Sequence, residues 1–226
     1  MIPKIIHYCW FGSNVPQYVQ ERVNAWKRVL PDYEFKLWNE DNYDLTQNIF
    51  LKNTVIAKQY AFTNDFFRAD VLYNYGGIYM DIDMVILKSL DRFLNCESFV
   101  GLEHDGENRI GLGIMGSVKG TRLCKELRDY YNTQTFINKN LEFDFIPSTQ
   151  IFSKLFYWNK NNEYNLTVYP SEVFYPMHIY SHELNITENS YAYHEWSYKD
   201  KKYWGHIKLT EVDKFKILKN LMEIRK

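Results

Sequence analysis

The sequence predicts an α/β fold with a central sheet flanked by helices. The first observation is a strand, a helix and a second strand within the first 38 residues, a unit typical of parallel sheet pairing. The second is a long helix that leads through a glycine pair into a strongly apolar run. The chain has 226 residues without an internal repeat or linker, so we predict one domain over residues 1–226, with a C-terminal helix as an appendage.

The first unit contains two short strands. Residues 4–11 (KIIHYCWF) are rich in β-branched and aromatic side chains, which predicts a strand. Pro16 opens a helix to about Leu30, because apolar residues then recur every three or four positions. After a turn, residues 33–38 (YEFKLW) alternate as the second strand.

The centre of the chain predicts one long helix over residues 56–75, which Gly76 and Gly77 end as a C-cap. The apolar run at 78–87 predicts one continuous buried strand. After this run we predict two strands, at residues 98–103 and 110–117, and two helices, at 121–132 and 147–158. A strand broken by prolines follows at 166–176, and a C-terminal helix at 210–225.

Composition narrows the class of protein. Lys and Arg total 27 against 28 Asp and Glu, so no overall field attracts nucleic acid. The three cysteines are far apart and form no CxxC pair, which favours a reducing compartment. The sequence contains no long apolar run and no signal-peptide pattern, so we expect a cytoplasmic protein.

Two aspartates, Asp81 and Asp83, interrupt the apolar run. On a strand they would share a face with Tyr79, with the carboxylates about 6–7 Å apart. Buried carboxylates are costly without a cation, and a hard divalent ion held by them can also bind a substrate diphosphate. The alternative is a strand edge whose aspartates lie in water or cap a helix.

Asp65 and Arg68 form a second unusual pair. They share a helical face with Ala61, Ala69 and Leu72, which we expect to point towards the core. A carboxylate and a guanidinium directed inwards indicate a polar pocket able to hold sugar hydroxyls. The alternative is a surface ion pair that adds little stability.

Other candidates are more ambiguous. Trp10 ends the first strand, at the sheet edge where α/β folds bind ligands. Two interpretations are open for its side chain: stacking on a nucleotide base, or packing in the core. His194 is a metal ligand or a surface residue. His178 and His182 have helical metal-site spacing, but the strand signals around them argue against such a site.

No dinucleotide fingerprint, P-loop or GxSxG elbow is present in the sequence, so a bound nucleotide would have to be held through a metal on its diphosphate.

Four segments together resemble the DXD-containing sugar-transferase family 32. This family includes initiating mannosyltransferases and bacterial capsule and lipopolysaccharide enzymes, and the clostridial glucosylating toxins share a related core. The resembling segments are IPKIIHYCWFG (2–12), NDFFRADVLYNYGGIYMDIDM (64–84), VYPSEVFYP (168–176) and YAYHEW (191–196).

The resemblance implies a GT-A fold, a Rossmann-like nucleotide-sugar-binding architecture with a mixed central sheet. It implies retaining transfer of a hexose from a nucleotide sugar, with Mn²⁺ or Mg²⁺. A UDP-sugar is the favoured donor and GDP-mannose the other candidate. The acceptor would be a saccharide or a lipid-linked saccharide, in bacterial capsule or lipopolysaccharide synthesis.

The resemblance also implies roles in donor binding and catalysis. Trp10 would stack on the donor base, and Tyr79 would belong to the same donor site. Asp65 and Arg68 would grip the donor sugar, and Asp81 would contact ribose and sugar. Asp65, Arg68 and Asp81 are therefore the predicted catalytic residues.

For the metal, the resemblance implies Asp83 as a ligand on the diphosphate side, together with Asp81 and His194. The family usually has a second histidine after the first and a nearby Ser-Trp pair. This chain has Glu195 at the second position, and it lacks the Ser-Trp pair, with Trp204 further on. Glu195 is therefore the alternative to His194.

Two other classes of protein compete with this interpretation. The segment IYMDIDMV also satisfies the DxD pattern of haloacid-dehalogenase-type phosphotransferases, although that family places it on the first strand. A non-catalytic sugar-binding module would use the aromatic residues without a metal.

The C-terminal helix allows two interpretations. It carries Val212, Phe215, Leu218 and Met222 on one face and many lysines elsewhere. It either packs on the core with solvated lysines or makes a peripheral contact with the inner face of a membrane.

Overall fold

A mixed six-stranded sheet organises the protein. The computed structural model describes residues 1–104, 106, 108–158, 163–196 and 209–223. The strands are β1 (Ile5–Cys9), β2 (Glu34–Trp38), β3 (Gly77–Met80), β4 (Met84–Ile86), β5 (Ser98–His104), β6 (Arg109–Ser117), β7 (Leu166–Tyr169) and β8 (Ala192–His194). The helices are α1 (Gln17–Val29), α2 (Ile49–Ile56), α3 (Tyr60–Tyr75), α4 (Arg122–Asn132), α5 (Ser148–Phe152), α6 (Ser171–Phe174) and α7 (Glu211–Glu223).

The strand order of the main sheet is β2-β1-β3-β6-β5-β7, and β4 pairs with β8 in a separate two-stranded sheet. β1 is parallel to both β2 and β3, which confirms the predicted strand-helix-strand unit. β6 is antiparallel to β3 and β5, whereas β7 is parallel to β5. The predicted mixed sheet flanked by helices is therefore confirmed.

Two hydrophobic clusters cover the sheet. One contains the buried side chains of α2, α3 and α4, and the other contains those of α1 and β4. His7 lies buried in β1, where Trp38 Nε1 donates to its Nδ1 at 3.1 Å and its Nε2 donates to Gly76 O at 2.9 Å. Burial lowers the pKa of His7 to about 4, so the neutral ring joins β1 and β2 to the end of α3.

The predicted helix over residues 56–75 is wrong at its beginning. The chain forms α2 and α3 instead, because Lys58 adopts a left-handed conformation with φ 55° between them. The Asn48 side chain caps α2 by accepting from Leu51 N at 2.8 Å. Gly76 does end α3 with φ 67°, as predicted. Ala61, which was expected to face the core, is exposed.

The predicted continuous strand over 78–87 is also wrong. β3 stops at Met80, and a turn closed by Met84 N donating to Asp81 O at 3.0 Å follows. Asp81 N still donates to Gly113 O of β6 at 2.7 Å. Beyond the turn, β4 leaves the main sheet because it pairs with β8.

The later elements differ in smaller ways. The helix predicted at 147–158 is α5 followed by a π-helical turn, Ser153–Tyr157. Within 166–176, β7 is a strand, but Pro170 precedes the short helix α6 because its fixed φ suits a helix start. β8 was not predicted as a strand.

The C-terminal helix α7 packs against α2. Ile217 is fully buried, and Asn220 Nδ2 donates to Asn53 Oδ1 at 3.1 Å. The predicted apolar face points to solvent, with exposed fractions of 61%, 69%, 37% and 63% for Val212, Phe215, Leu218 and Met222. Among the helices within the described ranges, none is long and apolar enough to cross a bilayer.

Candidate active site

A cleft of about 1430 Å³ opens along the sheet edge where β1 and β3 end. This exceeds the roughly 300–1,000 Å³ of common ligand pockets, so the cleft has room for two substrates. The candidate residues on its wall are Trp10, Asp65, Arg68, Asp81, Asp83, His194 and Glu195. The structure thus brings together residues from the two ends and the centre of the chain.

Asp81, Asp83 and His194 form one compact group. Their ligand atoms all lie within 4.8 Å of one another. His194 Nε2 lies 2.6 Å from Asp83 Oδ1 and 3.9 Å from Asp81 Oδ2. The pairing of β4 with β8 sets His194 opposite Met84 and therefore beside the turn that carries both aspartates.

The chemistry of this group fits a divalent cation. Burial favours the neutral imidazole, but Asp83 and then Asp81 more than compensate, so the pKa of His194 is raised. The negative charge of the two carboxylates therefore stabilises positive charge at this position. Two carboxylates and one imidazole suit Mn²⁺, and the carboxylates also suit Mg²⁺. Gly113 lies beside this group, because a Cβ there would be 3.2 Å from Met84 Sδ and 3.4 Å from Asp81 Oδ2.

Asp65 and Arg68 form a buried ion pair on the cleft side of α3. Arg68 Nη2 donates to Asp65 Oδ1 at 3.1 Å, and its Nη1 donates to Leu112 O at 2.6 Å. The side chains are only 7% and 6% exposed, which excludes the surface-pair alternative. Burial raises the pKa of Asp65 to about 6, although Arg68 opposes this shift. An inward-facing carboxylate that titrates near neutrality is typical of a functional pocket.

Tyr79 links this pair to the aspartates of the turn. The Arg68 guanidinium lies 4.9 Å from the centre of the Tyr79 ring. The Tyr79 hydroxyl donates to Asp81 Oδ1 at 2.5 Å. Burial opposes the charged form of Arg68, but nearby Tyr79, Asp81 and Asp65 raise its pKa, so it remains a cation. Asp65, Arg68, Tyr79 and Asp81 therefore form one connected polar network.

Trp10 lies on the same cleft, after the end of β1. Its Nε1 donates to Ser13 Oγ at 3.1 Å, and its ring meets Tyr18 edge to face at 5.8 Å. The side chain is half-buried rather than part of the core. One ring face can therefore receive a planar ligand.

Glu195 does not join the aspartates in this arrangement. Its carboxylate pairs with Arg22 of α1, with 2.5 Å between Oε2 and Nη2. Its backbone N–H donates to Asp83 O at 3.0 Å, so the residue supports the turn through its main chain. Trp204 lies outside the described residues.

Sequence reasoning missed one charged pair on the cleft wall. Glu103 of β5 and Arg109 of β6 lie 2.5 Å apart between Oε2 and Nε, and Glu103 is buried. The signal that could have found them is the glycine alternation in IGLGIMGS, since glycines within a strand often mark a close approach. The absence of a side chain at Gly111 makes room for the Tyr175 ring, since a Cβ there would come within 2.4 Å of Tyr175 Cζ.

Comparison with known proteins agrees with this geometry. Residues 16–100 match the family described as the glycosyltransferase sugar-binding region containing a DXD motif. Over these residues, which are less than half of its length, the chain is similar to glycosyltransferases that contain a DXD motif. Both the helix pair Asp65–Arg68 and the turn with Asp81 and Asp83 lie within the matched residues.

Curated proteins that are similar to this chain include fungal and viral proteins. Inositol phosphoceramide mannosyltransferase 3 of Schizosaccharomyces pombe is 33% identical over 128 residues, which cover 53% of this chain and 34% of that protein. An uncharacterised glycosyltransferase of Acanthamoeba polyphaga mimivirus is 27% identical over 198 residues, or 80% of this chain and 76% of that protein. The match thus spans about a third of the yeast protein.

Among solved structures, the PaToxG glycosyltransferase superposes with a TM-score of 0.53 and 16% identity, over 69% of each chain. At this identity the likeness establishes the fold alone. The predicted GT-A fold is confirmed.

Proposed function

We propose that this protein is a metal-dependent, retaining hexosyltransferase that uses a nucleotide sugar. The observation that supports this most directly is the Asp81, Asp83 and His194 group beside the buried Asp65–Arg68 pair in one cleft. The donor is a UDP-sugar or GDP-mannose. Because two relatives are named as mannosyltransferases, a mannose donor is the first to test against the UDP-sugars.

The proposed roles follow from position and charge. Trp10 stacks on the donor base, and Asp65 and Arg68 hold the sugar hydroxyls through directional, charge-assisted hydrogen bonds. Tyr79 fixes Asp81 so that its other oxygen remains directed at ribose and sugar. Arg68 adds a permanent positive charge beside the departing group.

Asp81, Asp83 and His194 would hold Mn²⁺ or Mg²⁺. When bound there, a divalent cation stabilises the negative charge that develops on the leaving diphosphate. The side chains of the two aspartates are 24% and 21% exposed, whereas that of His194 is 6% exposed. The open side of the group thus faces the cleft, where a diphosphate would lie.

The acceptor in this proposal is a saccharide or a lipid-linked saccharide, as in bacterial capsule or lipopolysaccharide synthesis. A contact with the inner face of the membrane fits a lipid-linked acceptor. The exposed apolar face of α7, flanked by the exposed lysines Lys216 and Lys219, supports this contact. In addition, two relatives in Schizosaccharomyces pombe are named as inositol phosphoceramide mannosyltransferases.

A panel of UDP- and GDP-sugars, each with Mn²⁺ or Mg²⁺ and again with EDTA, tests the proposal. We expect one donor to release its nucleoside diphosphate only when metal is present. A sugar-binding module would bind saccharide without any turnover. A phosphotransferase would cleave a phosphomonoester instead. Absence of both binding and hydrolysis for every donor would reject the transferase.

A further inference from the structure

The Glu103–Arg109 pair lies across the cleft from Trp10. Glu103 is near the carboxyl end of β5, and β5 runs parallel to β1 and β3, because each of β3 and β5 is antiparallel to β6. All three strands therefore end at the cleft. Three strand spacings, about 14 Å, separate β5 from β1, and the turn with Asp81 follows β3 between them.

An aromatic wall stands beside this pair. The segment after α6 places Ile179 and Tyr180 on the cleft. The rings of His104, His178 and Tyr180 form a row with centroid distances of 5.3 and 5.7 Å. Tyr180 at the end of this row is 71% exposed. A large exposed ring on the wall of the cleft offers a flat surface for the apolar face of a sugar.

Tyr175 lines the same cleft. Its ring lies directly on the sheet, because a Cβ at Gly111 would come within 2.4 Å of Tyr175 Cζ. Ile114 N donates to the Tyr175 hydroxyl at 3.1 Å, and the ring is 6.1 Å from that of His194. The Glu103 side of the cleft is therefore directly continuous with the proposed metal group.

We infer that Glu103, Arg109 and Tyr180 form the binding subsite for the acceptor saccharide. The carboxylate can accept and the guanidinium can donate hydrogen bonds to neighbouring sugar hydroxyls, while the Tyr180 ring covers the apolar face. The subsite lies on the opposite side of Asp81 from Trp10, so an acceptor hydroxyl there faces a sugar held by Asp65 and Arg68. The inference rests on the proposed function, since a donor must fill the Trp10 side.

A second buried carboxylate provides the matched comparison. Asp70 is 4% exposed and pairs with Arg128 Nε at 3.2 Å, as Glu103 does with Arg109. Its other partners are the Tyr43 hydroxyl at 2.9 Å and Asn74 Nδ2 at 3.0 Å. Asp70 does not line the cleft. Replacing either carboxylate weakens a buried ion pair, but only one replacement changes the proposed subsite.

The test compares Glu103→Gln and Tyr180→Ala with the controls Asp70→Asn and Tyr75→Ala, the last an exposed tyrosine outside the cleft. Two rates are measured for each: donor hydrolysis without acceptor, and transfer to the methyl glycosides of mannose, glucose and galactose. We expect the acceptor KM to rise about tenfold for Glu103→Gln, as for a lost charged hydrogen bond, and about fivefold for Tyr180→Ala. Donor hydrolysis should stay within about twofold of wild type, and both controls should leave the acceptor KM unchanged.

An unchanged acceptor KM in both cleft variants would overturn the inference, as would an equal loss of hydrolysis and transfer in Tyr180→Ala, whose exposed side chain is not needed for folding. If the wild type turns over no donor, the proposed function fails. Saturation-transfer NMR with the same methyl glycosides then decides the subsite separately. Loss of the saccharide signal in Tyr180→Ala supports it, and an unaltered signal overturns it.

Discussion

The two sides of the metal group are built in different ways. Asp65, Arg68, Tyr79 and Asp81 come from one continuous segment, and α3 and β3 bring them into contact over short sequence distances. His194 instead bonds to a residue 111 positions away in the sequence. The local side holds its groups through a helix, a glycine cap and a strand. The distant side depends on the pairing of β4 with β8.

This difference implies that the two sides fail differently when altered. A change in the local network alters both the proposed substrate contacts and the buried core of α3. A change at His194 or Asp83 alters the cation site and leaves the main sheet intact, because β4 and β8 form a separate small sheet.

The largest effect is expected from Asp83→Asn. Loss of Asp83 removes one of the two carboxylate charges that would hold the cation, so we expect metal-dependent donor turnover to fall by about a thousandfold. Turnover is measured with saturating Mn²⁺, and circular dichroism checks the fold. Asp91→Asn, at an exposed aspartate paired with Lys4, is the control and should retain full activity. Full activity in Asp83→Asn would remove Asp83 from the metal site.

The next comparison separates His194 from Glu195. His194→Gln should weaken Mn²⁺ binding about fiftyfold or more, since the imidazole faces both aspartates. Glu195→Gln should change it less than about threefold, because that carboxylate is bound to Arg22. Isothermal titration with Mn²⁺ measures both. A larger loss in Glu195→Gln would assign the ligand to Glu195 and show that the segment rearranges when metal binds.

A smaller, pH-dependent effect is expected for the local side. The folded protein raises the pKa of Asp65 to about 6 from an ordinary 3.8, so the folded state binds the proton more tightly than the unfolded state does. Asp65 therefore lowers the free energy of unfolding as pH rises from about 4 to 6, by up to about 3 kcal/mol. Urea unfolding of wild type and Asp65→Asn should show the mutant gaining relative stability over this window. A constant difference between the two proteins would mean that Asp65 titrates normally.

The smallest effect concerns α7. Phe215→Ser should reduce co-sedimentation with anionic phosphatidylglycerol vesicles about threefold, because an exposed aromatic ring adds apolar area at a membrane interface. It should not change thermal stability, since this face does not pack on α2. Tyr18→Ser, at another exposed ring, serves as the control. Equal sedimentation of Phe215→Ser and wild type would reject the membrane contact.

The sequence predicted the residues of the local side of the site better than the contacts between distant segments. Asp65 and Arg68 were predicted to face inwards because helical periodicity places them beside Ala69 and Leu72, and both are buried. The turn at Asp81–Asp83 was predicted as part of a strand, because the apolar alternation of the sequence continues through it. The chain differs on the two sides of the turn in its pairing, since β3 pairs with β6 and β4 pairs with β8. The helix break at Lys58 was not predicted, because a lysine rarely adopts the left-handed conformation that it has here, whereas a glycine would have indicated it. The pairing of Glu103 with Arg109 across β5 and β6 was missed, because the glycine alternation in IGLGIMGS indicates a close approach but not which residues meet there.

The sequence by itself determined the α/β class, the first strand-helix-strand unit, the glycine end of α3 and the identity of the polar residues near the DxD motif. These features depend on periodicity and on backbone preferences that act over a few residues. Only the tertiary structure decided that His194 rather than Glu195 meets the aspartates, that β4 leaves the main sheet, and that Glu103 and Tyr180 share the cleft with Trp10. Those outcomes depend on which distant strands pair, and pairing is chosen by the packing of the whole chain rather than by any local stretch.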